Sequence, residues 1–196
     1  MGTPFAPQTR RRADPRAQRA RDDHQTGGVL VEPVDELGPV VALERQRVEQ
    51  AVDIAEQGHR VFSKIADLDV PTFAFVNGAS MGGGVEIGLY CDYRTMSADV
   101  PAYSLPECFL GLVPGWGGCW LLPNLVGVQK AVKVIIENPL AQNTMLKGPQ
   151  AFELGMYDAM FDGADFLVES IRWAASVLAG ETTVERTPVD RDEQSW

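Results

Sequence analysis

Three consecutive glycines at positions 82–84 constrain this chain more than any other feature of its sequence. They stand in "ASMGGGVEIG", residues 79–88, after an apolar run that ends in Asn-Gly. Glycine is unfavourable inside a helix or strand, so three in a row predict a turn that another part of the molecule approaches closely. A carboxylate, Glu86, follows two residues after the last glycine. The turn is therefore a candidate site for chemistry.

The segments around the glycine turn predict a mixed α/β domain. Apolar residues recur at helical spacing from Leu43 to Leu68, which predicts a long amphipathic helix before the turn. Short apolar runs rich in β-branched and aromatic residues predict strands, namely "VPTFAFVNG", "YRTMS", "AYSL" and "YDAMFDG". Further helices follow, with a break at Gly127, and the last helix begins after Asp165 and ends at Gly180.

Composition divides the chain into three parts and excludes several classes of function. We expect a disordered or atypical segment, polar and rich in Arg and Pro, over residues 1–42, a folded core over 43–180 and a polar tail or linker over 181–196. The net charge of −10 argues against binding to nucleic acid or to an anionic membrane. The 3 cysteines form no CxxC pair, which predicts free thiols in a reducing cytoplasm and no metal site.

Two common interpretations of a glycine turn fit this sequence poorly. A dinucleotide-binding loop needs a third glycine where Ile87 stands, and the chain has no GK[ST] phosphate loop. "GASMG" has the form of a nucleophile elbow around Ser80, but a hydrolase of that type has its histidine after the serine. Both histidines, His24 and His59, precede it. Ser80 is thus predicted to be a small residue that lets the turn pack closely.

A second glutamate favours acid–base chemistry at the turn. Glu86 alone could serve as a partner of the helix dipole. Glu107, however, stands 21 residues later in "YSLPECFLGLVPGWGG". If the intervening segment runs out along the helix and returns as a hairpin, Glu107 comes back beside the start of that helix. Two carboxylates in a partly apolar pocket can divide acid and base roles, because burial and mutual repulsion keep one protonated.

These motifs together resemble a known family. "PTFAFVNGASMGGGVEIGLYCDYRTMSAD" and "YSLPECFLGLVPGWGG" are similar to the crotonase superfamily, and within it to the enoyl-CoA hydratases. The resemblance runs from about Val70 to Gly180. It implies an α/β fold, a spiral of ββα turns with C-terminal helices, assembled as a homotrimer or hexamer. It also implies an acyl-CoA thioester as substrate, with coenzyme A as part of that substrate and no separate cofactor.

The resemblance implies a role for each residue of the turn. The Gly83 N–H would be one donor of an oxyanion hole for the thioester carbonyl. Glu86 would activate the water that attacks C3, and Glu107 would deliver a proton to C2. The substrate-binding residues implied are Gly82, Gly84, Pro106, Gly115 and Trp116. The implied function is hydration of trans-2-enoyl-CoA in β-oxidation; the alternatives are an enoyl-CoA isomerase and an inactive fragment that binds acyl-CoA or forms oligomers.

The N-terminal part of the chain departs from the family pattern. Hydratases place an "AG[AG]D"-like motif, which supplies the second oxyanion N–H, upstream of the glutamates, and residues 1–42 contain no match. We therefore expect a fold that is incomplete on its N-terminal side and an impaired oxyanion hole.

The C-terminal "VERTPVDRDEQSW" resembles the segment that leads to a 3-hydroxyacyl-CoA dehydrogenase domain in multifunctional β-oxidation proteins. Such a domain is expected downstream.

Overall fold

A strand–strand–helix unit is repeated along this chain. The computed structural model describes the backbone of residues 39–189 and the side chains of residues 47–189. A long helix, α1 (Pro39–Ala66), comes first. The first unit consists of β1 (Phe73–Val76), β2 (Ser80–Met81) and α2 (Gly83–Leu89). The second begins with β3 (Tyr93–Ser97) and β4 (Tyr103–Ser104).

Short helices complete the second unit and lead to the last strand. A 3-10 helix spans Pro106–Leu110, and α3 (Gly118–Val126) and α4 (Val128–Val132) follow on either side of Gly127. A π-helix (Lys133–Glu137), α5 (Asn138–Leu140) and α6 (Gly148–Glu153) come next. The chain then forms β5 (Ala159–Phe161) and α7 (Phe166–Leu178). The predicted helices and strands are thus confirmed in type and order.

Strands at equivalent positions of successive units pair in parallel. One sheet has the order β1-β3-β5, with Phe73 opposite Tyr93 and Thr95 opposite Ala159. A second, two-stranded sheet pairs β2 with β4. This arrangement is the spiral of ββα turns, and the α/β prediction is confirmed. The predicted hairpin is wrong: each of the five described strands pairs with a strand of the neighbouring unit, because the helix between them returns the chain in the same direction.

The parallel pairing of β2 and β4 nevertheless brings Glu107 to the glycine turn. The N–H of Gly82 donates to the carbonyl of Ser104 at 3.0 Å, so the chain leaves β4 beside the start of α2. Pro106 then begins the 3-10 helix. Proline has no backbone N–H, and the first position of a helix does not need one. Glu107 is the next residue. The spatial prediction was therefore correct although the connection that produces it is different.

The hydrophobic core lies between the strands and the helices that follow them. Its largest apolar members with less than 2% exposure include Met96 on β3, Leu122 on α3 and Met156 before β5. A buried hydroxyl pair, Thr95 Oγ1 and Ser170 Oγ at 2.8 Å, joins β3 to α7. Within residues 39–189, no helix combines the length and apolar character needed to cross a membrane.

The segment after α7 is attached to the domain by an ion pair. The Arg186 guanidinium donates to both carboxylate oxygens of Asp158, at 2.7 and 2.9 Å. The same carboxylate accepts the backbone N–H of Arg94 on β3. The first part of the segment predicted to be a polar tail is thus held against the strands, while the boundaries at residues 42 and 180 stay predictions.

Gly148 at the start of α6 tests the close packing of helix on strand. A Cβ at this position would lie 2.5 Å from the backbone carbonyl oxygen of Ser97, which cannot move freely. We expect Gly148→Ala to lower the free energy of unfolding by about 1–3 kcal/mol through overpacking. The matched control is Gly88→Ala on α2, where the nearest atom would be 3.9 Å away. That change should leave stability equal or raise it by up to about 1 kcal/mol. Equal effects in urea denaturation would contradict the packing account.

Candidate active site

Glu86 is a buried carboxylate held by two backbone donors. It lies in the first turn of α2 with only 2% of its surface exposed. Its Oε1 accepts the N–H groups of Trp116 at 2.8 Å and Gly118 at 2.9 Å. A Cβ on Gly118 would lie 2.7 Å from the side chain of Pro114 and 3.1 Å from Oε1. The glycine therefore permits the approach of the carboxylate, and the two bonds fix its orientation.

Glu107 occupies a different environment on the other side of the glycine turn. A Cβ on Gly82 would lie 2.8 Å from its Oε1, so the carboxylate faces the backbone of the turn directly. Its Oε2 is buried and has no hydrogen-bond partner among the described residues. Burial raises the pKa of this carboxyl, and the charge of Glu86 raises it further, against the opposing effect of the Glu107 backbone N–H. Glu107 is thus the carboxyl that keeps its proton to higher pH than an exposed glutamate.

Each glycine of the triplet is approached by a different side chain. Gly82 faces the Glu107 carboxylate, Gly83 faces the ring of Trp116 and Gly84 faces the hydroxyl of Ser80. The prediction that other parts of the molecule approach the glycine turn closely is thus confirmed. Ser80 is near enough to Gly84 to explain why a small residue stands there, as predicted. In the described part of the chain, the N–H groups of Gly83 and Gly84 have no acceptor.

Trp116 joins α1 to the glycine turn, a contact that the sequence analysis did not find. Its ring lies between Gly58 of α1 and Gly83 of α2, and a Cβ at either glycine would overlap it. Phe62 contacts the same ring edge-to-face at a centroid distance of 5.3 Å. The signal was present in the sequence: a glycine inside an amphipathic helix costs about 1 kcal/mol relative to alanine and needs a reason.

The other two residues implied in substrate binding lie on the segments that carry the carboxylates. Pro106 is half-buried at the start of the 3-10 helix. Gly115 is exposed and directly precedes Trp116, and a Cβ there would meet the side chain of Ala55 on α1 at 3.5 Å. The contact of these two residues with substrate stays a prediction.

Two cavities lie elsewhere in the described part of the chain, and neither is lined by Glu86 or Glu107. One, of about 340 Å³, is bordered by acidic side chains near the end of β5. The other, of about 320 Å³, lies near the end of α2 and includes Arg94 and Arg186. Among the described residues, no group of three or more His, Cys, Asp or Glu side chains is arranged to hold a metal ion.

Comparison with known proteins identifies the family of this chain. A family model described as enoyl-CoA hydratase/isomerase matches residues 18–187. The chain belongs to this enoyl-CoA hydratase/isomerase family. The match confirms the resemblance and begins well before Val70, where the recognised motifs start. The upstream segment in which we looked for the second oxyanion donor lies mostly outside the described residues.

Two relatives of this chain carry the same name and are much longer proteins. The fatty acid oxidation complex subunit alpha of Vibrio cholerae is 40% identical over 115 residues, which cover 58% of this chain and 16% of that protein. The subunit of the same name from Shewanella loihica is 34% identical over 157 residues, covering 74% and 21%. This chain therefore spans less than a quarter of the length of these two relatives.

A solved structure supports the fold. The crystal structure of an enoyl-CoA hydratase from Mycobacterium avium subsp. paratuberculosis superimposes with a TM-score of 0.59 at 26% identity. The superposition covers 68% of this chain and 53% of that one. The chain therefore shares its α/β fold with this enoyl-CoA hydratase over the superimposed part.

The raised pKa of Glu107 makes the stability of the domain depend on pH. A carboxyl group whose pKa is higher in the folded chain stabilises the fold fully below its ordinary value of 4.5, and this contribution is lost as the pH rises through the folded pKa. Glu107→Gln removes the titration. We expect the wild-type chain to lose unfolding free energy relative to this variant as the pH rises above 4.5.

Urea denaturation at several pH values measures the effect. The exposed Glu153→Gln on α6 is the matched control and should follow the wild-type chain across the range. A constant difference between wild type and Glu107→Gln, or one that grows in the opposite direction, would show that Glu107 is not a carboxyl of raised pKa.

Proposed function

We propose that this chain is the hydratase part of a fatty acid oxidation protein and adds water across the 2,3-double bond of a trans-2-enoyl-CoA. The observation that carries the proposal is the meeting of two carboxylates in unlike environments at one glycine turn. Glu86 is oriented by two backbone N–H groups, whereas Glu107 has a raised pKa and a buried oxygen without a partner. Two titratable groups in unlike environments can divide the acid and base roles of such a reaction.

In the proposed reaction, one water molecule is divided between the two ends of the double bond. Glu86 accepts a proton from the water molecule while the water oxygen forms a bond to C3. The π electrons of the double bond move toward the thioester carbonyl, which gives an enolate. Glu107, whose raised pKa favours the protonated form, then delivers a proton to C2, and proton exchange between the carboxyl groups restores the starting state. The product is a 3-hydroxyacyl-CoA, and no electron acceptor is needed.

The enolate requires a donor at the thioester oxygen, and we assign this role to the Gly83 N–H. It lies at the start of α2 and has no acceptor in the described part of the chain. One such donor contributes about 3–4 kcal/mol of transition-state stabilisation. We infer that Gly82, Gly84, Pro106, Gly115 and Trp116 border the bound thioester. Coenzyme A enters as part of the substrate, and no separate cofactor is proposed.

The same carboxylates could move protons without water, which is the isomerase alternative. A hydratase consumes the conjugated double bond, whereas an isomerase moves it between the 2,3 and 3,4 positions. An inactive acyl-CoA-binding chain would do neither. A homotrimeric or hexameric assembly, a cytoplasmic location and a dehydrogenase domain in the same protein stay predictions, supported by the resemblance and by the multifunctional relatives.

Variants of the two carboxylates test their proposed roles. We expect Glu86→Gln and Glu107→Gln each to lower the kcat for hydration of crotonyl-CoA by about 10²-fold or more, because each removes one proton-transfer group. The loss of absorbance of the conjugated thioester measures the rate. Glu153→Gln, an exposed carboxylate on α6, should retain the wild-type rate. An equal rate in wild type and in either active-site variant would refute the assignment.

A further inference from the structure

Tyr90 shares a face of α2 with Glu86. The two residues are four positions apart, so their side chains lie one above the other along the helix. Tyr90 stands at the C-terminal cap of α2 with 5% of its surface exposed. Glu86 and Tyr90 both reach the same turn of the chain, residues 116–118, which precedes α3. The turn that orients the carboxylate thus has a second support from the same helix.

The second support is the contact of the Tyr90 hydroxyl with Gly117. This glycine has a φ of 125°, in the range that residues with side chains rarely adopt. A Cβ added to it would overlap the hydroxyl and two ring carbons of Tyr90. The hydroxyl therefore lies against Gly117, the residue between Trp116 and Gly118, whose N–H groups bind Glu86.

His59 fixes the position of this hydroxyl. The Tyr90 hydroxyl and the Nδ1 of His59 are 2.9 Å apart and form a hydrogen bond from α2 to α1. Phe62, one turn further along α1, packs edge-to-face on the Tyr90 ring and on Trp116. Phe62 thus contacts the phenol ring, and His59 binds its hydroxyl. Of the residues in these contacts, only Trp116 belongs to the site predicted from the sequence.

We propose that Tyr90, held by His59, is a positioning residue for Glu86. The Tyr90 hydroxyl contacts Gly117 and so fixes the directions of the N–H groups of Trp116 and Gly118. These N–H groups in turn orient the Glu86 carboxylate toward the reacting water. The inference rests on the proposed function for its catalytic consequence, but the geometric part stands independently of turnover. Neither residue touches the substrate in this account, and neither transfers a proton.

Removing only the hydroxyl tests the proposal by kinetics. Tyr90→Phe keeps the ring and its contact with Phe62. We expect kcat for crotonyl-CoA to fall about tenfold while KM changes by less than about twofold, because a displaced catalytic group impairs the reaction more than binding. His59→Leu should reproduce this loss. His59→Asn can keep the hydrogen bond at the place of Nδ1 and should restore most of kcat.

Tyr93→Phe is the matched control for the kinetic experiment. It removes a phenol hydroxyl from β3, where the ring stacks on Phe73 and lies outside the contact with Gly117. Kcat should remain at the wild-type value. Should Tyr90→Phe also keep the wild-type kcat, or His59→Asn lose as much as His59→Leu, the positioning role is overturned.

Amide hydrogen exchange tests the same contact without catalysis. We expect the Trp116 and Gly118 amides to exchange about tenfold faster in Tyr90→Phe and in His59→Leu, with no such change in His59→Asn or Tyr93→Phe. Amides of β3 should be unaffected, which separates a local change from general destabilisation. A wild-type chain without turnover would contradict the proposed function alone, and the exchange rates would still decide the positioning role. Unchanged exchange at both amides in Tyr90→Phe would overturn the inference.

Discussion

The rest of this site depends on a buried carboxylate, Glu86, that accepts hydrogen bonds from two backbone N–H groups. Glu86 Oε1 is bonded to Trp116 and Gly118, which lie 30 and 32 residues further along the chain. A buried carboxylate is costly unless it is hydrogen-bonded, so the turn at residues 116–118 must keep its shape. Glycines at 117 and 118 allow that shape, since a Cβ at either would meet Tyr90 or Glu86.

The two carboxylates are distinguished by their surroundings. Glu86 is satisfied by the backbone, whereas Glu107 has one oxygen against Gly82 and another that is buried without a protein partner among the described residues. In the proposed reaction, this difference in surroundings assigns the base role to Glu86 and the acid role to Glu107. It arises from topology, because α2 carries one carboxylate and the strand that pairs with β2 delivers the other.

Much of the framework could be predicted from the sequence, and the misses have physical causes. Local signals gave β1, α2 and the last helix, because the apolar period and the glycine turn are contained in short windows. The hairpin was wrong because parallel pairing of β2 with β4 is a long-range choice that leaves no local mark. The proximity of Glu107 to the turn was nevertheless correct, since both connections return the chain to the same edge.

The supporting contacts of the site could not be predicted in the same way. Trp116 packs between Gly58 and Gly83, and Tyr90 bonds to His59, so each contact joins segments that are distant in sequence. The glycine inside α1, Gly58, indicated that some side chain packs closely there, but the sequence did not identify that side chain as Trp116. Chemistry-bearing residues are thus easier to find than the residues that hold them, because the former repeat a family motif and the latter depend on packing.

The fate of the water oxygen tests the central claim most directly. The full chain is incubated with crotonyl-CoA in water labelled with heavy oxygen, and the thioester is then analysed by mass spectrometry. The account predicts a 3-hydroxyacyl-CoA that carries one heavy oxygen atom at C3, with loss of the conjugated absorbance. Recovery of unlabelled thioester, either unchanged or with its double bond moved, would contradict it.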